Sequence, residues 1–375
     1  MTDQETYYTI ALSRMTGFSP QTALLLYRTL GSSQSVYDHR HDIGDVMPGC
    51  SPTLVEAMKH WDDALKRAAA EMEFVGKHHI RVLVLNDDDY PSRLRECPDA
   101  PVVLYYTGSG DLNHQRVVAI VGTRHATAYG NDLTRRFLSR LKELCPDVLV
   151  VSGLAYGIDI CAHRHSLAVG YDTVGVLAHG LDTIYPARHR ETAVQMVSHG
   201  GLLTEYMSQT EPLPNNFRQR NRIVAGMSDA IVVVESASKG GALITARIGT
   251  DYGHDVMAFP GPVGAPYSEG CNHLIRDNKA GLITSADDFV ESLGWQTDVQ
   301  RQQMERQGIE RQLFPDLTPD EETIVSLLRQ SNDMQLNVLS VKTNISIGQL
   351  VSLLFQLEMR GIVRPLAGGI YHLIV

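Results

Sequence analysis

Residues 117–130 read V-V-A-I-V-G-T-R-H-A-T-A-Y-G, and residues 148–159 read V-L-V-V-S-G-L-A-Y-G-I-D. Each stretch places a strand-sized apolar run before a glycine-containing turn, and a helical pattern follows. Further apolar runs lie at 173–177, 201–204, 231–234 and 256–259. Because helical patterns separate most of these runs, the sequence predicts an α/β fold with a doubly wound parallel sheet. Two earlier runs, 80–85 and 102–106, could extend that sheet at one edge.

Helical patterns dominate residues 1–75, ahead of the predicted sheet. Two phrases there, Gly17-Phe18-Ser19-Pro20 and Pro48-Gly49-Cys50-Ser51-Pro52, each precede a helical run, over 20–30 and 52–70. Serine followed by proline is typical of a helix start, because serine caps the first turn and proline fits inside it. The paired pattern predicts a SAM-like or helix-hairpin-helix domain, and a plain helical bundle stays open as the alternative.

The chain after the predicted sheet domain (residues 76–294) divides into two parts. Residues 295–315 are polar and rich in Gln and Arg, which predicts a linker. Residues 316–375 carry three helical patterns and a hairpin pattern, which together predict a winged-helix domain. The last helical pattern, 346–360, holds a single basic residue, so protein contact or structural closure is favoured over DNA reading.

The chain is acidic, with 33 Lys and Arg against 43 Asp and Glu and a formal net charge of −10 over 375 residues. Taken alone, that charge argues against a nucleic-acid partner, whose phosphates dominate affinity. Residues 114–290 are nearly balanced, however, with 16 Lys and Arg against 17 Asp and Glu. Their cations concentrate after strands, which favours a local binding pocket over a broad basic face.

Cysteine usage indicates the cell compartment. The five cysteines are scattered, odd in number and without a C-x-x-C pair, which predicts reduced thiols in a cytoplasm. The start M-T-D-Q-E-T lacks the basic region of a signal peptide, and the apolar runs are too short for a membrane span. The C-x-H pairs at Cys161 and Cys271 lack a second pair at zinc spacing, so no metal site is expected.

Ligands of doubly wound sheets bind at the carboxyl ends of the strands. The turns Gly122-Thr123-Arg124 and Ser152-Gly153-Leu154-Ala155-Tyr156-Gly157 combine glycine, hydroxyl groups and a helix start, which suits a phosphate. Neither turn reads G-x-G-x-x-G, and Ser152 stands where NAD binding would need an acidic residue. After a later strand, Lys239-Gly240-Gly241 resembles a phosphate cradle but lacks the Walker A spacing, so P-loop ATP hydrolysis is unsupported.

Three arginines and one phenylalanine lie together in F-R-Q-R-N-R, residues 217–222. Arginine can clasp a phosphate and phenylalanine can stack on a base. Arginines at i, i+2 and i+4 cannot share one helix face, so some must turn inward. The alternative is that Arg220 or Arg222 pairs with Glu205 or Glu235 and locks the loop.

A catalytic constellation is not visible. Asp159 and His163 are four positions apart on a predicted helix, so they face the same way. A packed, hydrogen-bonded His163 is favoured there over a metal-binding or acid–base pair. No Ser-His-Asp order, paired-carboxylate phrase or H-E-x-x-H motif occurs, and binding is therefore favoured over catalysis.

Taken together, the loops resemble one family. V-A-I-V-G-T-R-x-A-T-x-Y-G, V-S-G-L-A-Y-G-I-D-x-x-A-H, G-L-D-x-x-Y-P, R-N-R-I-V-A-G-M-S and G-G-A-L-I-T-A-R closely resemble the DNA-processing protein A (DprA, or Smf) family over about residues 75–294. The resemblance implies an extended Rossmann-like domain that binds single-stranded DNA and forms a homodimer. No cofactor is expected. It also implies a role in natural transformation (competence) and DNA recombination, in which the protein protects incoming single strands and helps to load the RecA recombinase.

The loop chemistry and this resemblance together give the predicted DNA- or phosphate-binding residues. They are Gly122, Thr123, Arg124, Ser152, Gly153, Gly157, Phe217, Arg218, Arg220, Asn221, Arg222, Lys239, Gly240 and Gly241. Two positions depart from the family pattern: Arg218 stands where proline is usual, and Lys239-Gly240-Gly241-Ala242 replaces a hydroxyl-rich phrase.

Two competing functions stay open. The first is a Rossmann-type hydrolase acting on a small nucleotide, similar to the phosphoribohydrolases. Their P-G-G-x-G-T-x-x-E phrase holds a Glu suited to acid–base work, whereas S-K-G-G-A-L-I-T-A-R has none at the matching turn. The second is an interaction scaffold, which would show neither oligonucleotide binding nor turnover.

Overall fold

Nine strands form one sheet in the first of two units of the chain. In the computed structural model, which describes residues 2–15, 17–295, 317–366 and 369–374, the units are residues 1–298 and 299–375. The strands of the first unit are β1 (Arg81–Val84), β2 (Val103–Gly108), β3 (Val117–Gly122), β4 (Leu149–Ser152), β5 (Thr173–Val176), β6 (Gly200–Thr204), β7 (Ala230–Val234), β8 (Asp255–Ala258) and β9 (Gly281–Leu282). The six strands predicted from apolar runs are all present, each within one residue of its predicted ends.

The sheet is mostly parallel, as the sequence predicts. Its order is β1-β2-β6-β5-β4-β3-β7-β8-β9, and every pair from β6 to β9 is parallel. The two earlier runs do extend the sheet at one edge, but β1 and β2 pair antiparallel. Strands β3 and β7 at the centre are apolar and buried, apart from the half-buried Gly122 at the end of β3, since helices cover both faces of such a sheet.

Helices connect most of these strands. They are α1 (Asp3–Ser13), α2 (Pro20–Leu30), α3 (Ser33–Asp38), α4 (Ile43–Val46), α5 (Pro52–Ala57), α6 (Asp62–His78), α7 (Ser92–Arg95), α8 (Ala128–Leu144), α9 (Ile158–Val169), α10 (Arg190–Ser198), α11 (Pro214–Gly226), α12 (Ala242–Asp251), α13 (Glu269–Arg276) and α14 (Ala286–Ser292), with a 3-10 turn at Ala187–His189.

The N-terminal helices begin where the serine–proline phrases predict. The Ser19 hydroxyl accepts a hydrogen bond from the Thr22 amide, and the Ser51 hydroxyl accepts one from the Leu54 amide. The predicted helical run over 52–70 is broken, however, between α5 and α6. Met58 and Trp61 lie in this break and are almost fully buried. Burial of both side chains favours ending α5 and starting a new helix, α6. The first turn of α6 carries two acidic residues, which are favourable at a helix N-terminus.

The N-terminal helices and the sheet share one hydrophobic core. Ile10 and Trp61 belong to the same buried cluster as Leu104 and Val176. A buried carboxylate adds to this packing, because Glu71 of α6 accepts hydrogen bonds from both the amide and the hydroxyl of Ser208. The helices therefore pack against the sheet, and α1 contacts β1 and β2 at its edge.

Strands β3 and β7 are neighbours, and the chain leaves them in opposite directions. After β3 it proceeds through β4, β5 and β6, and it then returns to β7 and moves outward to β8 and β9. The topological switch point, where such sheets bind ligands, is therefore at the carboxyl ends of β3 and β7.

In its described residues, the second unit holds three helices and a small antiparallel sheet. The helices are α15 (Pro319–Gln330), α16 (Leu336–Thr343) and α17 (Ile347–Met359), and the strands are β10 (Met334–Gln335), β11 (Val363–Leu366) and β12 (Ile370–Leu373). The predicted hairpin is confirmed, since β11 and β12 pair antiparallel. The winged-helix assignment stays a prediction, and the predicted linker lies, apart from Trp295, outside the described residues.

Helix α17 exposes an apolar stripe. Ile347, Val351, Phe355 and Met359 recur every fourth residue and are each 44–73% exposed. In the described parts of the chain, no single helix is long and apolar enough to cross a membrane, and α16 and α17, bent by 109°, pass that test only as a pair.

Candidate nucleic-acid interface

The loops after β3 and β4 are fixed against each other. Gly157, which precedes α9, has φ +78°, and a Cβ there would lie 2.1 Å from the Thr123 carbonyl oxygen. The Ile158 amide donates a hydrogen bond of 3.1 Å to the same oxygen. Glycine is therefore required at 157 for two reasons, the left-handed backbone and the close approach of the other loop.

Amides that the sequence offers to a phosphate are bonded inside the protein. The Thr123 amide donates to the Glu235 carbonyl oxygen at 2.7 Å. The amides of Gly153 and Ala155 lie beside the buried carboxylate of Asp159. Burial raises the pKa of this carboxyl, while the nearby Arg220 guanidinium and the two amides act in the opposite direction. An acidic side chain of the protein itself thus fills the predicted cradle after β4.

Ser152 and Gly153 lie beneath the surface. Both are buried, and the Ser152 hydroxyl donates a 2.6 Å hydrogen bond to the Ile120 carbonyl. The expectation that these two residues touch a ligand directly is therefore corrected, because both are buried. They shape the loop instead.

The start of helix α8 is also occupied by an acidic side chain. Glu235 follows β7 and is buried, and its carboxylate accepts hydrogen bonds from the amide (2.9 Å) and the hydroxyl (2.6 Å) of Thr127. In dinucleotide-binding Rossmann domains, the pyrophosphate of the ligand binds at the N-terminus of a helix that follows a strand. The geometry agrees with the absence of an NAD motif in the sequence.

Arg220 is an interior residue. It is 3% exposed, and its Nη1 donates to the Val176 carbonyl at 2.6 Å. The guanidinium lies against Gly153, where an added Cβ would come within 1.9 Å of Nη1. Arg220 thus supports the loop after β4 from below, and the prediction that it contacts a ligand is corrected by its burial.

Arg222 is likewise turned inward and forms an ion pair with Glu205. Both side chains are nearly inaccessible, at 7% and 11% exposed. This arrangement is the locking role that the sequence left open as the alternative, with Glu205 and not Glu235 as the partner. Burial leaves Arg222 no surface with which to contact DNA in this conformation.

An exposed cation and two aromatic rings lie together at the carboxyl edge of the sheet. Arg124 is exposed, and its guanidinium carbon is 5.1 Å from the centroid of the half-buried Phe217 ring. The Phe217 ring is in turn 5.8 Å from that of Tyr185, which is 46% exposed. We call Arg124, Phe217 and Tyr185 the Arg124–Phe217 cluster. A positive charge beside accessible rings suits a single strand, whose phosphates and bases are both exposed.

Two more exposed side chains lie nearby in the fold. Tyr156, in the loop after β4, is 40% exposed and has the Arg188 guanidinium 5.9 Å from its ring centroid. Its ring also contacts that of the buried His189, at 5.1 Å. Sequence reasoning missed Tyr156, Tyr185 and Arg188, although both tyrosines stand in the phrases V-S-G-L-A-Y-G and G-L-D-x-x-Y-P.

The remaining predicted residues divide between two places. Arg218 is exposed and Asn221 half-buried, both on α11 with Phe217. Lys239 and Gly240 line a separate groove of about 580 Å³, together with Arg247. The structure therefore brings Arg124 and Phe217 together and leaves the Lys239 turn along another surface.

Asp159 and His163 do not form an accessible pair. His163 is completely buried, and its Nδ1 is 2.7 Å from the Thr173 hydroxyl. That hydroxyl donates to the Val150 carbonyl, so Nδ1 carries the proton and donates to it. The packed role expected for His163 is thus confirmed. In the part of the chain that the structure describes, no group of three or more His, Cys, Asp or Glu side chains could hold a metal ion.

Comparison with known proteins gives a consistent set of similarities. Residues 81–294 match the family described as DNA recombination-mediator protein A. A putative DNA processing protein DprA of Mycobacterium tuberculosis is 40% identical over 61% of this chain and 62% of its own length, so the match spans less than two thirds of that relative.

Two solved structures are also similar. DNA processing protein A of Streptococcus pneumoniae has a TM-score of 0.65 and 31% identity, with 76% of this chain and 97% of that chain covered. The Helicobacter pylori protein, described for its unique single-stranded DNA binding mode, has a TM-score of 0.52 and 27% identity over 57% of this chain and 95% of its own.

Proposed function

Because this chain belongs to the DNA recombination-mediator protein A (DprA/Smf) family, we propose that it binds single-stranded DNA through the Arg124–Phe217 cluster. One observation carries this proposal: an exposed guanidinium lies 5.1 Å from an accessible phenylalanine ring at the carboxyl edge of the sheet. The description of the Helicobacter pylori relative as a single-stranded DNA binder supports the choice of ligand.

Each member of the cluster has a distinct task. Arg124 neutralises a backbone phosphate, and the cation–π contact with Phe217 restrains its guanidinium before DNA arrives. Phe217 and Tyr185 offer ring faces on which bases stack, and every base has such a face. Arg218, exposed beside Phe217, adds a second cation for the backbone. Binding of this kind depends strongly on salt and little on sequence.

The buried predicted residues have a supporting task in this proposal. Arg220 holds the loop after β4 from beneath, and the pair of Arg222 with Glu205 anchors α11, which carries Phe217. Gly157 lets the loops after β3 and β4 meet, which positions Arg124. Substituting these residues would weaken DNA binding through loss of structure. Measurements of stability would distinguish this effect from the loss of a direct DNA contact.

The cellular role is also a proposal. We infer a homodimer in the cytoplasm that protects incoming single strands during natural transformation and helps to load the RecA recombinase onto them. A direct test measures the DNA-dependent ATPase activity of the recombinase on oligonucleotides precoated with single-stranded-DNA-binding protein. We expect wild-type chain to shorten the lag before ATP hydrolysis and Arg124→Ala to leave it unchanged. An unshortened lag with wild-type chain would refute the loading role.

The nucleotide-hydrolase hypothesis can be tested separately. The turn from Ser238 to Arg247 offers no Glu for acid–base work, in contrast to the phosphoribohydrolase phrase. We therefore expect no release of free base from nucleoside monophosphates above the background of buffer alone. Release that scales with protein concentration would favour the hydrolase.

The proposed ligand is best tested by a filter-binding titration. Single- and double-stranded oligonucleotides of the same sequence are compared at a low and a high salt concentration. We expect the single strand to bind more tightly, with an affinity that falls steeply with salt. Equal affinity for duplex, or no binding at low salt, would contradict the proposal.

A further inference from the structure

A groove opens beside the Arg124–Phe217 cluster, between the first turns of α8 and α9. Its volume is about 670 Å³, within the ~300–1,000 Å³ typical of ligand sites. Six of its ten lining residues have polar or aromatic side chains: Arg124, His125, Asn131, Tyr156, Arg164 and His165. No Asp or Glu is among the described residues that line it.

The two arginines of this groove have no carboxylate partner among the residues that the structure describes. Other exposed arginines of α8, such as Arg135 and Arg140, form ion pairs. Arg124 and Arg164 form none with the described residues, and the Nε of Arg164 donates instead to the neutral Thr192 hydroxyl at 3.2 Å. This hydrogen bond orients the guanidinium without neutralising it, so the groove keeps both positive charges for an anion.

The groove is continuous with the proposed DNA site. Arg124 lies at their junction, since it contacts the Phe217 ring and also lines the groove. Tyr156 contributes an exposed ring to the groove wall. Burial and the charge of Arg135 lower the pKa of His165, which favours its uncharged form and leaves it to hydrogen-bond with a base or a sugar.

We infer that this groove, flanked by Arg124 and Arg164, receives the segment of single-stranded DNA that continues from the base stacked on Phe217. In it Arg164 contacts a backbone phosphate and Tyr156 contacts a base. This inference rests on the proposed function and adds a direction to it: the strand runs from α11, past Arg124, toward the first turns of α8 and α9.

A length series of oligothymidylates tests the inference by fluorescence anisotropy. A second contact region matters only for strands long enough to reach it. Arg164→Ala is therefore expected to lower affinity roughly three- to tenfold for long oligonucleotides, with a smaller salt dependence, and to leave the shortest bound oligonucleotide unaffected. Arg140→Ala, which removes an exposed and already paired cation of α8, is the matched control and should bind as wild type does.

The outcomes separate the two claims. If wild-type chain binds the oligonucleotides but Arg164→Ala binds all lengths as tightly as wild type, or loses affinity equally at every length, the groove is not the path of the strand. If wild-type chain binds no length, the proposed function itself fails.

Photocrosslinking with 4-thiothymidine gives a second readout: positions to one side of the stacked base should crosslink to the peptide that contains Tyr156 and His165. Crosslinks confined to α11 would overturn the inference.

Discussion

The guanidinium carbon of Arg124 lies 5.1 Å from the centroid of the Phe217 ring, although the two residues come from the loop after β3 and from helix α11. The parallel sheet brings them together, because both segments begin at the carboxyl ends of strands. A cation and a stacking surface are thus combined at one point, which is what a single strand requires.

Phe217 is expected to act through its ring face. Phe217→Leu keeps an apolar side chain of similar bulk but removes stacking, so it should weaken binding of single-stranded DNA by about 1–3 kcal/mol. Phe217→Tyr keeps the ring and should bind nearly as wild type does. Isothermal titration calorimetry with an oligothymidylate makes the comparison, and wild-type affinity in Phe217→Leu would exclude a stacking role.

The pair of Arg222 with Glu205 is expected to govern stability. Arg222→Leu leaves the Glu205 carboxylate buried and unpaired, which should lower the free energy of unfolding by about 3–5 kcal/mol. Adding Glu205→Leu removes the unpaired charge and should restore part of that loss. Urea denaturation of the three proteins measures both effects. An Arg222→Leu protein of wild-type stability that binds DNA poorly would instead make Arg222 a DNA contact.

Gly157 is expected to tolerate no side chain, because it lies against the loop after β3. Gly157→Ala combines φ +78° with a Cβ 2.1 Å from the Thr123 carbonyl oxygen, so the loop that carries Arg124 must move. Gly170→Ala is a matched control, since Gly170 has φ +77° and its Cβ would meet nothing within 4 Å. Both variants should lose about 1 kcal/mol of stability or more through backbone strain. Only Gly157→Ala should also lose affinity for DNA, and equal DNA affinities in the two variants would contradict this account.

His163 is expected to make stability depend on pH. Burial, together with the charges of Arg220 and His189, lowers the pKa of His163 from its usual 6.5 to about 3. Below pH 6.5, His163 therefore binds a proton in the unfolded chain but not in the folded chain. The stability that the neutral His163 contributes is lost as the pH falls from 6.5 toward 3. The slope approaches ~1.4 kcal/mol per pH unit. His163→Asn should flatten the dependence of the unfolding free energy on pH in this window, and an unchanged slope would refute the assignment.

Most of the sheet could be predicted from sequence because its strands are continuous runs of valine, isoleucine and similar residues. Such runs are typical of strands buried on both faces, and the turns after them mark the ligand edge. The break between α5 and α6 was not predictable in the same way. The local pattern continues through it, and only packing of Met58 and Trp61 into the shared core decides where the helix ends.

The candidate site was predictable as a set of loops but not residue by residue. Spacing indicates that some arginines of 217–222 must turn inward, yet the choice depends on Glu205 and Val176, which the sheet brings beneath α11. Asp159 and Glu235 likewise fill positions that the glycine-containing turns offer to a phosphate. Tyr185 could not be predicted as a site residue, because tertiary structure alone brings its ring close to that of Phe217.

The central claim is that the exposed Arg124, beside Phe217, binds the backbone of single-stranded DNA. Fluorescence anisotropy over a range of salt concentrations tests it directly, with Arg124→Ala compared with wild type and with Arg81→Ala. Arg81 is an exposed cation on β1 at the far edge of the sheet, paired with Asp89. We predict that Arg124→Ala lowers affinity about tenfold or more for every sequence and reduces the slope of log affinity against log salt by ~0.7, while Arg81→Ala changes neither. A folded Arg124→Ala protein with wild-type affinity and salt slope would contradict the account.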